Sequence, residues 1–217
     1  ASSIVFVVDH DRYDFMGTLR TSDHVIYTFG TDVEADILLH ADIWAALRSA
    51  YGVDSKISDM LRQRVQDPSA ELLSTWGTWI TLGLTALRCD KPGCAPLGAL
   101  SQVNQNSFGS VDAAKVGVVA SKIRDSVDEA TYDVAYATAA SHVSARGVRL
   151  LKGRWIASYI KYLVETHLSG EVIRVNVQSN AVIDTALAAL TYSGRWVSHY
   201  DTRFSKALSN VGSRGTE

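Results

Sequence analysis

Cysteine is almost missing from this sequence. Cys89 and Cys94 are the only two in 217 residues, too few for a disulfide framework. They flank Lys91-Pro92-Gly93, a turn that brings them near each other, but half a zinc site needs a second ligand pair and no Cys/His pair lies close in sequence. Both are read as free thiols. Proline is scarce as well, with three in all, and no apolar run is long enough to cross a bilayer. Nothing at the N-terminus reads as a signal peptide, so the expectation is a cytoplasmic protein with no membrane partner. Neither charge sign dominates: the net charge is −2 and the pI is near 6.3. That balance does not announce a nucleic-acid binder, although a local basic patch or a bound metal can supply the positive potential. The sequence has no glycine-rich phosphate loop, no G-x-S-x-G elbow and no H-E-x-x-H, which argues against the common kinase, hydrolase and metalloprotease chemistries. Internal repeats and low-complexity tracts are absent too.

What is present is an ordinary folded composition, 47% hydrophobic and 20% charged, in a chain long enough for one large domain or one domain with a helical extension. Ile4-Val5-Phe6-Val7-Val8 is apolar at every position, which predicts a strand covered on both faces, as in a parallel sheet between helices. His24 to Phe29 predicts a second strand, with Gly30 at the turn after it. Thr31-Asp32-Val33-Glu34 has the form of a capping box, and the spacing behind it predicts a helix reaching Tyr51-Gly52. Further helices are expected from Ser55 to about Val65, from Pro68 through Leu84, from about Val111 through Ile123, from Ala130 to Val143 and from Asn180 to Leu190. A short last helix is expected from Arg203 to Leu208, before a frayed tail at 213–217. The strongest pattern lies between Lys152 and His167, where Trp155, Tyr159 and Tyr162 form one row and Ile156, Ile160 and Leu163 its neighbour. Residues 89 to 111 hold two of the three prolines and three glycines, so they predict a long loop. The fold class expected is α/β, a small parallel Rossmann-like sheet at the N-terminus followed by a mostly helical region, divided as 1–52 and 53–217.

The chemistry-bearing residues cluster early. Asp9 and Asp11 are one residue apart at the C-terminal end of a strand. Alternation puts them on one face if the extended conformation persists, at the sheet edge where open α/β folds bind ligands. Paired carboxylates repel, and a hard cation such as Mg²⁺ or Mn²⁺ relieves that while keeping positions for water or phosphate oxygens. The plainer alternative is a solvated loop of Asp9, Asp11 and Asp14. Glu34 follows the second strand and is either a third carboxylate for the cation or the return arm of the capping box; the two roles are compatible.

These residues resemble a family. Ile4 to Asp14, IVFVVDHDRYD, is similar to the strand-plus-DxD motif of Toprim domains, specifically the Toprim-like proteins of anti-phage operons related to the OLD (overcoming lysogenization defect) nucleases. Tyr27 to Leu39, YTFGTDVEADILL, resembles their second strand and glutamate-led helix. Arg149 to Ile156, RLLKGRWI, looks like their basic helix start, and Phe108-Gly109 resembles the segment before their helical region. Together these stretches cover about a fifth of the chain, in the family's order. The resemblance implies metal-dependent cleavage of DNA or RNA in anti-phage defence, with Asp9, Asp11 and Glu34 as metal ligands and catalytic residues, and with an ATPase partner. Toprim domains also carry an earlier strand ending in glutamate, which nothing before Ile4 supplies. The chain is then either the C-terminal part of such a core or a degenerate relative, and both stay open, as does self-association.

Other features carry less. Lys152 and Arg154 open the strongest helix and are the candidate phosphate contacts for nucleic acid; a solvated helix start is the alternative. Trp155, Tyr159 and Tyr162 are explained by burial. Of the six histidines, His10 stands out through its neighbours, placed either to orient water or phosphate or to point away from the aspartates. Two rivals remain. A haloacid-dehalogenase-like phosphatase would use Asp9 as nucleophile, but Tyr13 stands where that family has Thr or Val. A catalytically incomplete module that binds a partner ATPase is the non-enzyme alternative.

Overall fold

The Asp67-Pro68 pair starts the longest of the described helices. The Asp67 carboxylate accepts from the N–H groups of Ser69 and Ala70, and Pro68 sits in the first turn, where no N–H is needed. A computed structural model describes residues 4–10, 12–51, 53–97, 110–168, 178–191 and 194–212. In it helix α4 is Pro68–Arg88, with Leu72, Trp76 and Trp79 fully buried. Helices α5 (Ala113–Arg124), α6 (Glu129–Arg146) and α7 (Gly153–Leu168) pack on it. Asp112 and Asp128 cap α5 and α6, Asp112 accepting the N–H groups of Ala114 and Lys115 and Asp128 that of Thr131. On α7 both predicted rows face inward: Trp155, Ile156, Tyr159, Ile160 and Leu163 are all buried. The Tyr159 hydroxyl donates to Glu71 Oε1 at 2.6 Å, tying α7 to α4. Burial and that bond push the phenol above its ordinary pKa.

Strands β1 (Phe6–Val8) and β2 (Val25–Tyr27) form the parallel pair expected, in register Phe6↔Val25, Val7↔Ile26 and Val8↔Tyr27. The architecture is therefore mixed α/β, a two-stranded parallel sheet at the N-terminus followed by helices. The expectation that β1 is covered on both faces is overturned. Phe6 is 57% and Val7 46% exposed, and these neighbours point to opposite faces, so β1 is an open edge on both. Ile26 beside Val7 is buried; cover reaches β2 and stops there.

Behind the sheet, the single helix expected to reach Tyr51-Gly52 is two: α1 (Val33–His40) and α2 (Ile43–Tyr51). Ala41 is extended and bridges Leu190. The Asp42 carboxylate then accepts the Ala45 N–H and starts the second helix. Helices α3 (Ser55–Arg64) and α8 (Ser179–Ala188) pack against α2. Helix α9 is Arg195–Gly212 rather than the short Arg203–Leu208 expected. Its additional length is anchored by aromatic contacts: Trp196 stacks on His40, and His199 meets Phe29 edge to face. Of the loop expected at 89–111, the described part through Leu97 is turn-rich; residues 98–109, including Phe108-Gly109, and the tail at 213–217 lie outside the described residues.

Candidate functional site

The turn that leaves β2 is wired to distant parts of the chain, and this wiring builds the site. Thr28 is buried; its Oγ1 accepts the His10 N–H at 2.9 Å and donates to the Gly30 carbonyl at 3.0 Å. Asp36, 3% exposed, accepts the N–H groups of Phe29 and Gly30 and the Tyr200 hydroxyl proton. A Cβ on Gly30 would lie 2.9 Å from Asp36 Oδ1, so the carboxylate can close over this turn only because residue 30 is glycine. Thr31 donates its hydroxyl to the Arg149 carbonyl at 2.8 Å. Asp32 Oδ1 then accepts two N–H groups, from Ala35 at 2.8 Å and Gly153 at 3.0 Å, so a single carboxylate joins the N-termini of α1 and α7.

Asp32 is thus the N-cap of α1, and the capping box of Thr31 with Glu34 is corrected. The Thr31 hydroxyl is spent on Arg149, and Glu34 stands exposed on the first turn of α1 with no hydrogen bond or ion pair among the described residues. Burial holds the Asp32 carboxyl above the usual carboxylate range. The two N–H bonds oppose that shift, and the nearby charges of Glu34 and Asp9 add to it.

At the C-terminal ends of both strands these elements enclose a cleft of about 450 Å³ lined by Val7, Val8, Asp9, Tyr13, Thr31, Asp32 and Lys152. Two of the sequence-predicted residues, Asp9 and Lys152, therefore share one cleft. Asp11 lies outside the described residues. Glu34 is within electrostatic reach of Asp32 but does not line the cleft. Arg154 is exposed and also stands outside the lining. The residue that sequence reasoning missed is Asp32. Its only signal was its place before Val33-Glu34, where the neighbouring threonine fits the capping pattern better. Among the described residues no three acidic, histidine or cysteine side chains converge into a metal cage. Mg²⁺ is commonly held by one or two carboxylates with waters and phosphate oxygens completing its shell. Asp9 and Asp32, the first of which raises the cost of ionising the second, suit that smaller donor set.

His10 turns away from the cleft into a second cluster. Its Nδ1 accepts from Arg146 Nη2 at 2.9 Å, which places the ring proton on Nε2, 3.7 Å from Asp14 Oδ2. His142 Nε2 is 3.7 Å from Asp14 Oδ1, and Arg146 Nε is 3.3 Å from Asp14 Oδ2. The cluster ties the segment after β1 to α6. Burial pushes His142 below its ordinary pKa, Asp14 opposing and Arg146 adding to the shift. Burial likewise lowers His199, whose Nε2–H donates to the Tyr27 carbonyl. Folded chains therefore keep both imidazoles neutral where unfolded chains, with pKa about 6.5, already bind protons. Stability is full above about pH 6.5 and falls below it until the folded-state values are passed, by at most about 1.4 kcal/mol per pH unit for each histidine. Urea unfolding at pH about 7.5 and about 5.5 checks this: the lower pH gives the lower midpoint, and His142→Asn and His199→Asn, although less stable, each flatten the decline. A flat wild-type profile would disprove it.

Among the described residues no helix is long and apolar enough to cross a membrane. No family model, curated protein or solved structure matches the chain.

Proposed function

We propose that the chain is a divalent-metal-dependent phosphodiesterase of Toprim type acting on nucleic acid, an anti-phage effector or part of one. The observation that carries the reading is the shared cleft at the C-terminal ends of the parallel strands, where Asp9 and Asp32 face a lysine, Lys152. Asp9 and Asp32 would hold Mg²⁺ or Mn²⁺, with Asp11 and Glu34 as further acidic contributors. The cation, when bound, supplies Lewis-acid polarisation of a phosphoryl oxygen and lowers the pKa of a water. Lys152 pairs with a phosphate oxygen and sets the diester against the carboxylates. Asp32 Oδ1 is fixed by two backbone N–H groups, and neither bond uses Oδ2.

The test is cleavage of single- and double-stranded DNA and RNA with Mg²⁺ or Mn²⁺. Asp9→Ala, Asp11→Ala and Glu34→Ala are compared with the wild type, with Asp32→Asn added because it leaves a cap acceptor in place. Asp9→Ala is expected to lose at least about a hundredfold in rate. Cleavage indifferent to all four substitutions ends this reading. A second reading, a docking module for a partner ATPase, draws on the exposed apolar edge of β1. It is favoured if the pure chain cleaves nothing under any of these conditions.

A further inference from the structure

On the other side of Tyr27 lies a second cleft, of about 500 Å³, between β2, the segment before it and α9. Its charged lining is Arg20, Arg203 and Lys206 against one carboxylate, Asp23. Lys206 pairs with Asp23 at 2.8 Å. Among the described residues the guanidinium groups of Arg20 and Arg203 meet no carboxylate and no hydrogen-bond acceptor, and both side chains are exposed. Two uncompensated guanidinium groups in one cleft stand out on a chain whose net charge is −2. They present fork-shaped donors suited to phosphate oxygens. The two clefts share an aromatic wall: Tyr27 lines the basic one, Tyr13 the acidic one, and their rings pack at 6.2 Å between centroids, tilted by 52°. Tyr13 is 46% exposed, so part of its side chain is open to a base.

We infer that the Arg20–Arg203 cleft binds the phosphate backbone of a single-stranded nucleic acid, which crosses the Tyr27–Tyr13 wall with a base against Tyr13 and enters the acidic cleft. Free cations beside an exposed aromatic ring form the pattern that tracks unpaired strands, because every base offers a π-face and the phosphates repeat regularly. A duplex keeps its bases stacked inside and gains nothing from Tyr13. The acidic cleft alone would repel a polyanion. The basic cleft supplies the attraction that brings the strand there, and the same path makes Lys152 the next cation along it. The inference rests on the phosphodiesterase reading for its purpose, although the binding it describes does not require cleavage.

The experiment is fluorescence anisotropy with labelled oligo-dT and oligo-U of about twelve nucleotides, a length suited to one such groove. Titrations are run in EDTA across about 50 to about 200 mM KCl. The wild type binds at least one of the two. The double variant Arg20→Ala/Arg203→Ala binds at least about tenfold more weakly at low salt, and its log–log salt slope is smaller by about 1.4, two phosphates at about 0.7 each. Tyr13→Ala weakens binding about five- to a hundredfold and leaves that slope unchanged. Lys122→Ala, an exposed cation on α5, binds like the wild type. The inference is overturned if the double variant binds as the wild type does, if Tyr13→Ala makes no difference, or if duplex DNA of the same length binds as tightly. The last two results describe a general polyanion site. A wild type that binds neither oligonucleotide while divalent-dependent cleavage is present rejects the groove alone. Intact binding by a chain that cleaves nothing with Mg²⁺ or Mn²⁺ rejects the phosphodiesterase reading alone.

Discussion

Asp36→Ala unfolds at a markedly lower urea concentration than the wild type, with a loss of about 3–5 kcal/mol. The carboxylate is 3% exposed and receives three donors: the N–H groups of Phe29 and Gly30 and the Tyr200 hydroxyl. Alanine leaves those donors facing a small void, and each buried donor left without an acceptor costs about 1–3 kcal/mol. Tyr200→Phe removes one donor together with its need, and costs about 1–2 kcal/mol. Asp36→Asn falls between, since its amide oxygen still accepts while its NH₂ faces another donor. Hydrogen exchange separates local from global effects: in Tyr200→Phe the amides of α9 exchange faster while those of α4 do not. If Asp36→Ala falls within about 0.5 kcal/mol of the wild type, an ordinary value for surface substitutions, the three-donor account is wrong.

The second large effect contrasts two helical glycines. In a helix interior alanine is normally the better residue by about 1 kcal/mol, and Gly77→Ala in α4 is expected to stabilise by roughly that amount because a Cβ there meets nothing within 4 Å. Gly153→Ala does the opposite. Its Cβ would lie 2.3 Å from Glu34 Cβ and 2.4 Å from both Ala35 N and Glu34 C, and the backbone of α1 cannot give way as a side-chain tip can. The helix starts must part, and the bond from Gly153 N–H to Asp32 stretches or breaks. A loss of about 2–4 kcal/mol combines the overpacking strain with the weakened cap. Lys152 is carried with the displaced turn, so the cleavage proposed above is expected to fall further than the unfolded fraction explains. Equal behaviour of the two glycine variants in thermal unfolding would remove the argument that α1 and α7 meet backbone to backbone.

What could be read from the residues alone was whatever a short window decides. Helix α7 announced itself because Trp155, Ile156, Tyr159, Ile160 and Leu163 repeat at helical spacing, and Pro68 marked the start of α4 because a first-turn proline acts within one turn. The parallel pair β1–β2 was legible from two apolar runs separated by a polar stretch. Whether such a run is buried depends on what lies beside it in space, and the uniform pattern of Ile4 to Val8 misled on that point. The choice of Asp32 over Thr31 as cap was illegible for the same reason, since Gly153 is the second donor that favours Asp32. The break at Asp42 hangs on the bridge between Ala41 and Leu190. Asp9 and Lys152, singled out from a strand end and a helix start, line one cleft. The lock of His10, Asp14, His142 and Arg146 had no local signature at all.

The bonds that shape the candidate site share one property with a temporal meaning. Thr31 reaches across 118 residues to Arg149, Asp32 across 121 to Gly153, His10 across 136 to Arg146, Asp36 across 164 to Tyr200 and Tyr27 across 172 to His199. Contacts of such sequence separation form late, because the loop closure they require must be met before they stabilise anything. On the ribosome the first strand pair therefore emerges long before its anchors. The acidic cleft can close only once Lys152 and Gly153 have emerged, and the turn behind it is secured later still, when Tyr200 and His199 of α9 reach Asp36 and Tyr27.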